Sequence, residues 1–397
     1  MITYDVAVVG LGMIGSAALR HLSVAGLRVI GIGPAEPDNW AAHQGAFASH
    51  YDQARITRIT DPDSVWGMLA QRSIARYAEI EQHSGVRFHH AVGHLRVSPD
   101  VTEAGDTLGN AEKVGRQLNA QLTRLNQVQL SAQFPYLQFA DKAEALYEGG
   151  AAGFVNPRKL VAAQQVSAFL NEAKLIYEEV RAITGAAGAF EVRTQTGQIL
   201  QAQRVLLSMD GYTNFLLKPF LGRELDFICK QHSVVLAELD EAEQQRLANC
   251  PSLIWRLQCH PLLKSFYSTP PTPYPDGRVC FKIGGSPFSP PTMNTPQAFR
   301  DWFHGAGNET EIAALREVLL TVLPDLRVKS WASKPCVNTY TAHGYPYVDR
   351  LAEGIYICTG GCGSAAKSCD EIGHMGASLV QYDEWRSDLP AEVFRAV

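Results

Sequence analysis

The stretch YDVAVVGLGMIGSAALRHLSVAGLRVIGIG, residues 4–33, decides the fold of this chain. Its apolar run Val6–Val9 is typical of a buried strand, and Gly10, Gly12 and Gly15 follow that run at once. Apolar residues then recur at helical intervals up to a glycine suited to a helix C-cap, and the run LRVIGI is again typical of a strand. The stretch therefore predicts a strand–helix–strand unit.

The glycine spacing G-x-G-x-x-G predicts that this unit binds a dinucleotide. The first glycine permits the tight turn, the second lets the backbone approach a pyrophosphate, and the third lets helix and strand pack closely. The N–H groups at the start of the helix then face the phosphates. The second strand ends in Gly33, where such units usually place an acidic residue for the ribose, and Glu36 follows three residues later. Either Glu36 takes that role, or backbone and water hold the ribose.

Composition and charge exclude several other classes of protein. A length of 397 residues suits two domains. The formal net charge of −5 offers no basic surface to nucleic acid, and no apolar run reaches the ~18–20 residues of a membrane span. The eight cysteines form no CxxC pair and no zinc spacing, so we expect reduced thiols and no metal site. The opening MITYDVAVVG has the pattern of a buried strand and not of a signal peptide, so we expect a cytoplasmic protein.

Several separated motifs, in order along nearly the whole chain, resemble one family of flavoproteins. They are SHYDQARITRIT, VLLSMDGYTNFLL, VCFKIGG, KPCVNTYT and CTGGCGSAAKSCDEIG. With the glycine turn they are similar to the monomeric sarcosine oxidase and N-methyltryptophan oxidase family, within the D-amino-acid-oxidase-like flavoproteins. The resemblance implies an α/β fold with a Rossmann-like FAD-binding domain and an interleaved mixed β-sheet substrate domain. It assigns residues 1–92, 148–222 and 335–397 to FAD binding, and residues 93–147 and 223–334 to the substrate domain.

The segment KPCVNTYT carries the proposed link to the cofactor. The resemblance implies a thioether between Cys336 and FAD, which requires a thiolate and therefore positive surroundings, and Lys334 lies two residues earlier. The alternative is a buried, unreactive cysteine, the commonest state of a single thiol. The resemblance places the following residues at the cofactor: Gly10, Gly12, Gly15, Glu36, Arg55, Val180, Cys336, Gly360, Gly361, Gly363 and Lys367.

Four basic side chains are the candidates for the chemistry. The resemblance implies that Arg58 and Lys367 hold the substrate carboxylate, since guanidinium donates two parallel hydrogen bonds to such a group. It implies that Arg55 lies near the flavin ring. It also implies that Lys282 promotes the reaction with oxygen, because an ammonium stabilises developing negative charge. The alternatives are solvated surface cations and, for Lys282, an outward position on the polar face of a sheet.

Two departures from the family concern the substrate. Where the sarcosine-type enzymes have a histidine and a tyrosine, this chain has Ser286 and Asn338. We therefore expect an FAD-dependent oxidase of a secondary-amine or cyclic imino carboxylic acid other than sarcosine, forming an imine and hydrogen peroxide. We expect a monomer whose partners are that small molecule and O2. The alternatives are a dehydrogenase of the same fold, a flavin-bound subunit without turnover, and an NAD-dependent dehydrogenase.

Overall fold

The structure is a computed structural model that describes residues 2–397. The helices in this range are α1 Met13–Val24, α2 Ser64–Ser84, α3 Leu108–Gln117, α4 Gln127–Gln133, α5 Pro157–Leu170, α6 Thr213–Leu221, α7 Glu241–Arg246, α8 Pro296–His304, α9 Glu309–Val322 and α10 Ala365–Tyr382. The strands are β1 Thr3–Val9, β2 Val29–Ile32, β3 Arg55–Thr57, β4 His89–His90, β5 His94–Ser98, β6 Leu122–Asn126, β7 Glu144–Glu148, β8 Gly153–Val155, β9 Lys174–Ile176, β10 Val180–Ala186, β11 Ala189–Thr194, β12 Ile199–Leu207, β13 Phe227–Glu238, β14 Ser252–Arg256, β15 Leu263–Pro273, β16 Val279–Pro287, β17 Thr292–Met293, β18 Ser330–Thr341, β19 Tyr347–Ala352 and β20 Ile355–Thr359.

The first sheet is built on the glycine-turn unit. Strand β1 lies between β2 and β12, and the three strands run parallel. On the side of β12 away from β1, the first half of β12 pairs with β11 and the second half with β20. Two antiparallel hairpins, β10–β11 and β19–β20, therefore extend the sheet beyond β12. The expected strand–helix–strand unit is confirmed, because α1 connects β1 to β2.

Four helices, α1, α2, α5 and α10, pack together against this sheet. Asp370 on α10 is completely buried and pairs with Arg20 on α1 at 2.8 Å and with Arg76 on α2 at 2.5 Å. The same carboxylate accepts a hydrogen bond of 2.8 Å from Gln164 on α5. One buried aspartate thus ties four helices together, and it fixes the start of α10 relative to the sheet.

The second sheet has the strand order β18-β13-β16-β15-β14-β5-β7-β6, with the short β17 also paired to β13. Its pairs are antiparallel except for β5 with β14. Leu95, Leu253, Ile283 and Val235 lie in one hydrophobic core, which α9 completes. Positions 148 and 335, two boundaries of the expected division, fall within strands β7 and β18 of this sheet.

A small third sheet, β3-β8-β4, connects the two larger ones. Strand β3 contacts α10 on the first sheet and β15 on the second. The expected α/β class, with a parallel nucleotide-type sheet and a separate mixed sheet, is confirmed. Within the described residues, every helix is too short or too polar to cross a membrane.

Candidate active site

The space around the three glycines of the first turn explains their spacing. Gly10 has φ +107°, and a Cβ there would overlap the carbonyl of Ser208. A Cβ on Gly15 would overlap the carbonyl oxygen of Gly10, so α1 packs directly on the turn. A Cβ on Gly12 would meet nothing within 4 Å, and Gly12 is also the N-cap of α1 without a side-chain cap. The open side at Gly12 and the helix N–H groups fit the pyrophosphate of a dinucleotide.

The acidic position expected after the second strand has no room for a side chain. A Cβ on Gly33 would lie 2.7 Å from the backbone nitrogen of Leu11, a neighbour in the glycine turn. Glu36 accepts two hydrogen bonds of 2.6 Å each from Arg158, so its carboxylate already has a counter-ion. Val180, also expected at the cofactor, begins β10 and is half-buried.

The second glycine-rich turn connects β20 to α10, and the N–H of Cys362 in this turn donates to the carbonyl of Thr339 on β18 at 2.9 Å. Gly360 and Gly363 have φ values of +85° and +73°, with Gly361 between them. The N–H of Gly360 donates to Asp210 at 3.2 Å. A Cβ on Gly363 would lie 3.5 Å from the side-chain nitrogen of Asn338. The turn therefore places the start of α10 beside the strand that carries the expected attachment cysteine.

The face of the second sheet opposite its core carries two of the expected site residues, Lys282 and Cys336. Side chains alternate along a strand, and the residues next to Leu95, Ile283 and Val235 therefore point away from that core. We call this the site face, defined by His94, Thr269, Lys282, His232 and Cys336. Cys336 lies directly opposite His232, and Thr269 directly opposite Lys282. Lys282 is fully buried, which excludes the outward-facing alternative.

Lys282 belongs to a buried cluster centred on Asp52. Its ammonium donates to Oδ2 of Asp52 at 3.0 Å and to the carbonyl oxygen of Ala54. The same Oδ2 accepts from Arg55 at 2.6 Å, and Oδ1 accepts from the hydroxyl of Tyr274 at 3.1 Å. Burial lowers the pKa of Lys282 to about 8, although Asp52 opposes that change. Burial raises the pKa of Asp52, but Lys282 and Arg55 outweigh it and hold that pKa well below its ordinary value.

Cys336 lies at the edge of this cluster. Its Sγ is 3.4 Å from a guanidinium nitrogen of Arg55. Lys334 donates to the carbonyl of Tyr51 at 3.0 Å and lies 4.7 Å from the ring centre of Trp40. These side chains line one narrow cleft together with the thiol. Arg55 and Lys334 thus place two positively charged side chains in the cleft that the thiol lines.

A second cluster brings Arg58 and Lys367 together around Asp61. Oδ2 of Asp61 lies 3.3 Å from Nη1 of Arg58 and 3.2 Å from Nζ of Lys367, which also donates to the carbonyl of Trp66 at 3.1 Å. Arg58 and Lys367 are only 7% and 3% exposed, which excludes solvated surface cations. Burial lowers the pKa of Lys367 to about 8. Burial raises the pKa of Asp61, but Lys367 and Arg58 together lower it to about 2.

His94, also on the site face, faces this second cluster with an unprotonated nitrogen. The hydroxyl of Ser252 donates to the carbonyl of Gly93 at 3.2 Å and therefore accepts from Nδ1 of His94 at 3.0 Å. This assignment leaves Nε2 as an acceptor, and it has no partner. Burial, and then the nearby Arg58, lower the pKa of His94 well below its ordinary value, so the ring is neutral.

Within residues 2–397, five of the twelve buried side-chain polar atoms without a partner lie on or beside the site face. They are Nε of Arg58, Nε2 of His94, Oγ1 of Thr269 and both ring nitrogens of His232. Buried polar atoms in folded proteins nearly always have hydrogen-bond partners. These five atoms leave donors and acceptors for a ligand, and together with the open glycine turn they fit a long dinucleotide and a small polar substrate.

Sequence reasoning missed the residues that complete both clusters. Asp52 and Asp61 lie in the quoted SHYDQARITRIT motif and just after it, yet nothing local distinguishes them from surface carboxylates. His94 alternates with the apolar Leu95 and Val97 along its strand, which is a sign of a polar face, whereas His232 lies between the polar Gln231 and Ser233. Ser286 is exposed at the end of β16, and Asn338 is half-buried against the second glycine turn.

This fold and site are those of a nucleotide-dependent oxidoreductase: a parallel sheet carries the glycine turn, and buried lysine and arginine side chains lie beside the second sheet. The family described as FAD dependent oxidoreductase matches residues 5–379, and the chain belongs to this family.

Curated relatives confirm the family resemblance drawn from the motifs. The monomeric sarcosine oxidase of Streptomyces avermitilis is 34% identical over 182 residues, 45% of this chain and 44% of that protein. The N-methyl-L-tryptophan oxidase of Yersinia pestis is 28% identical over 146 residues, 36% of this chain and 37% of that protein. The chain therefore matches less than half the length of these relatives.

Solved structures share the fold over the whole chain. NikD, described as an unusual amino acid oxidase essential for nikkomycin biosynthesis, has a TM-score of 0.79 at 20% identity, covering 100% of this chain and 98% of that one. The L-proline dehydrogenase from P. horikoshii has a TM-score of 0.76 at 17% identity, covering 99% and 96%. At these identities the likeness concerns the fold.

Proposed function

We propose that this protein is an FAD-dependent oxidase of a carboxylic acid that carries a secondary or cyclic amine. It removes a hydride equivalent from the carbon next to nitrogen, and oxygen takes up the two electrons, so the products are an imine and hydrogen peroxide. The observation that carries the proposal is the buried pair Arg58 and Lys367 around Asp61, in which Nε of Arg58 has no partner although buried polar atoms nearly always have one.

FAD is the cofactor on which members of this family depend, and its ring would provide the two-electron chemistry. We propose that Gly10, Gly12 and Gly15 hold its pyrophosphate, while the turn Gly360–Gly363 lies against its ring. The remaining cofactor residues of the proposal are Glu36, Arg55, Val180 and Lys367. Cys336 is the proposed covalent attachment point, supported by the guanidinium of Arg55 at 3.4 Å from its sulfur.

The chain's own residues divide the remaining work between the two clusters. Arg58 and Lys367 bind the substrate carboxylate and so orient the carbon–nitrogen bond. Lys282 supplies a fixed positive charge where oxygen reacts, and Asp52 holds its ammonium in place at 3.0 Å. His94 accepts a hydrogen bond from the substrate, because its Nε2 is an unpartnered acceptor beside the clamp.

Names of the relatives support the substrate class. One relative is a sarcosine oxidase and another an N-methyl-L-tryptophan oxidase, both named for N-methyl amino acids. Ser286 and Asn338 differ from the sarcosine-type pattern, so we propose a larger or cyclic substrate. We further propose a cytoplasmic monomer, with FAD bound by residues 1–92, 148–222 and 335–397 and substrate covered by residues 93–147 and 223–334.

A peroxide-coupled screen of N-alkyl and cyclic amino acids, each paired with the amine that lacks the carboxylate, tests the proposal. We expect oxidation of the acids only. Arg58→Met or Lys367→Met should lower kcat/KM by an amount equivalent to ~2–4 kcal/mol, because each removes a buried charge-assisted contact. The exposed Arg193→Met serves as the matched control.

Two results would contradict this function. Equal turnover of acids and decarboxylated amines would show that Arg58 and Lys367 do not select a carboxylate. If the protein reduces an artificial dye with substrate but forms no peroxide from oxygen, it is a dehydrogenase and not an oxidase.

A further inference from the structure

We infer that Asp61 is a positioning residue of the carboxylate site: it bridges Arg58 and Lys367 and directs their remaining donors at a single substrate carboxylate. This inference rests on the proposed function of that pair. One oxygen of Asp61 lies 3.3 Å from Nη1 of Arg58 and 3.2 Å from Nζ of Lys367. The other oxygen accepts the N–H of Asp63 at 3.1 Å, so the backbone fixes the carboxylate.

The local sequence explains why Asp61 stays in this position. In ITDPDSVW, Pro62 restricts the backbone directly after Asp61. Asp63 caps α2 by accepting from the N–H of Trp66 at 3.0 Å. Asp61 therefore sits in a rigid turn between β3 and α2, and its side chain cannot easily withdraw from the two cations.

A count of the donors shows what remains for a ligand. Arg58 uses Nη1 towards Asp61, whereas its Nε–H is buried without a partner. Lys367 has three N–H groups, of which one is directed to the carbonyl of Trp66 and one to Asp61. One edge of the guanidinium and one ammonium N–H are thus left, which suits the two oxygens of one carboxylate.

The charges around Asp61 also favour a single carboxylate as the ligand. Arg58 and Lys367 bring two positive charges to the cluster, and the buried carboxylates Asp61 and Glu148 bring two negative charges. Glu148 is the other nearby carboxylate, and the backbone N–H groups of Ile59 and Thr60 hold it at 2.8 Å each. On the site face Arg96 adds a third positive charge near Asp61, while His94 is neutral, so one positive charge remains, which one carboxylate neutralises.

Removing Asp61 would leave two like charges buried side by side. Arginine keeps its proton in proteins, whereas lysine loses its proton readily when buried. Asp61 is the neighbour that most strongly raises the pKa of Lys367 against the effect of burial. Without Asp61 the ammonium of Lys367 therefore loses its proton at a lower pH, and the site loses one of its donors.

The test measures benzoate binding to the holoenzyme between about pH 6 and about pH 9.5, by flavin absorbance and by the shift in melting temperature. In the wild type we expect affinity to fall by about tenfold per pH unit above pH about 8, as Lys367 loses its proton. In Asp61→Asn this fall should begin at least about one pH unit lower, with affinity at about pH 6 changed less than about threefold. Asp100→Asn is the control, since Asp100 is held by Thr102 and Lys142 and lies outside the cluster.

The outcomes separate this inference from the proposed function. An unchanged pH dependence in Asp61→Asn, or tighter binding at every pH, overturns the positioning role. Asp61→Glu retains the charge and should give an intermediate shift, which decides the question if Asp61→Asn does not fold. Absence of benzoate binding in the wild type, or a pH dependence that persists in Lys367→Met, overturns the carboxylate clamp itself.

Discussion

Replacing Lys282 by Met tests the cluster at Asp52 directly. The side chain keeps its volume and loses its charge, while Asp52 retains Arg55 at 2.6 Å and Tyr274 at 3.1 Å. The pKa of Lys282 falls from 10.5 to about 8, so holding this ammonium in the folded protein costs about 3 kcal/mol at neutral pH. That cost already includes the attraction of Asp52, and the variant escapes it; the carbonyl of Ala54, however, loses its hydrogen bond from the ammonium, so the two effects on stability oppose each other. We therefore expect Lys282→Met to fold with a similar melting temperature.

The chemical effect of Lys282→Met should be large and confined to one half-reaction. Loss of one preorganised charge at a reacting centre slows reaction roughly 100- to 1,000-fold. Stopped-flow mixing of the reduced enzyme with oxygen should show this loss, whereas anaerobic reduction by substrate should change much less. The exposed Lys264→Met on β15 is the matched control and should leave both rates unchanged.

The pH dependence of reoxidation gives a second readout of the same variant. A lysine whose pKa is lowered on folding is protonated below about 8, so the wild-type rate with oxygen should fall as the pH rises through that value. Lys282→Met should show no such fall. Asp52→Asn should move the fall to lower pH, because Asp52 raises the pKa of Lys282. Equal slowing of both half-reactions in Lys282→Met, or a wild-type profile without this fall, would refute the role of Lys282 with oxygen.

Two further predictions concern the cofactor. Gly15→Ala should prevent folding or lower the melting temperature strongly, since its Cβ would overlap the carbonyl of Gly10. Gly12→Ala should fold normally and lose FAD, since its Cβ would meet only the open space proposed for the pyrophosphate. Equal FAD content in Gly12→Ala and the wild type would contradict the pyrophosphate site. Acid-precipitated wild-type protein should stay yellow with its intact mass raised by one FAD, and Cys336→Ala should release the flavin; a colourless wild-type pellet would leave Cys336 a packing residue.

The sequence predicted the elements of the fold better than the relations between them. The glycine turn is local, so the spacing of Gly10, Gly12 and Gly15 was sufficient to predict the first unit. The meeting of Lys282 with Asp52 joins residues 230 positions apart and depends on strand pairing, which no local pattern contains. The family motifs pointed to each cation separately, but the anions that hold them became visible only in the folded chain.

Packing also explains why Gly33 stands where related units place an acidic residue for the ribose. Gly33 packs against the backbone nitrogen of Leu11, so the residue that looked like a departure is required by the tightness of the turn. Glu36, one of the two possibilities that the sequence offered for the ribose, is paired with Arg158, because α5 begins beside it in space. Both facts depend on packing between segments that are distant in the chain.

The short segment 52–61 supplies anions and arginines to both clusters. Asp52 and Arg55 serve the Lys282 side, whereas Arg58 and Asp61 serve the Lys367 side, and the three residues of β3 lie between them. Any backbone shift in this segment therefore moves both clusters at once. For protein engineering, residues 52–61 should therefore be exchanged as one segment. Under the proposed function, a change at the Arg58 and Asp61 end made to alter substrate preference would also shift Asp52 and Arg55, and so would alter the reaction with oxygen.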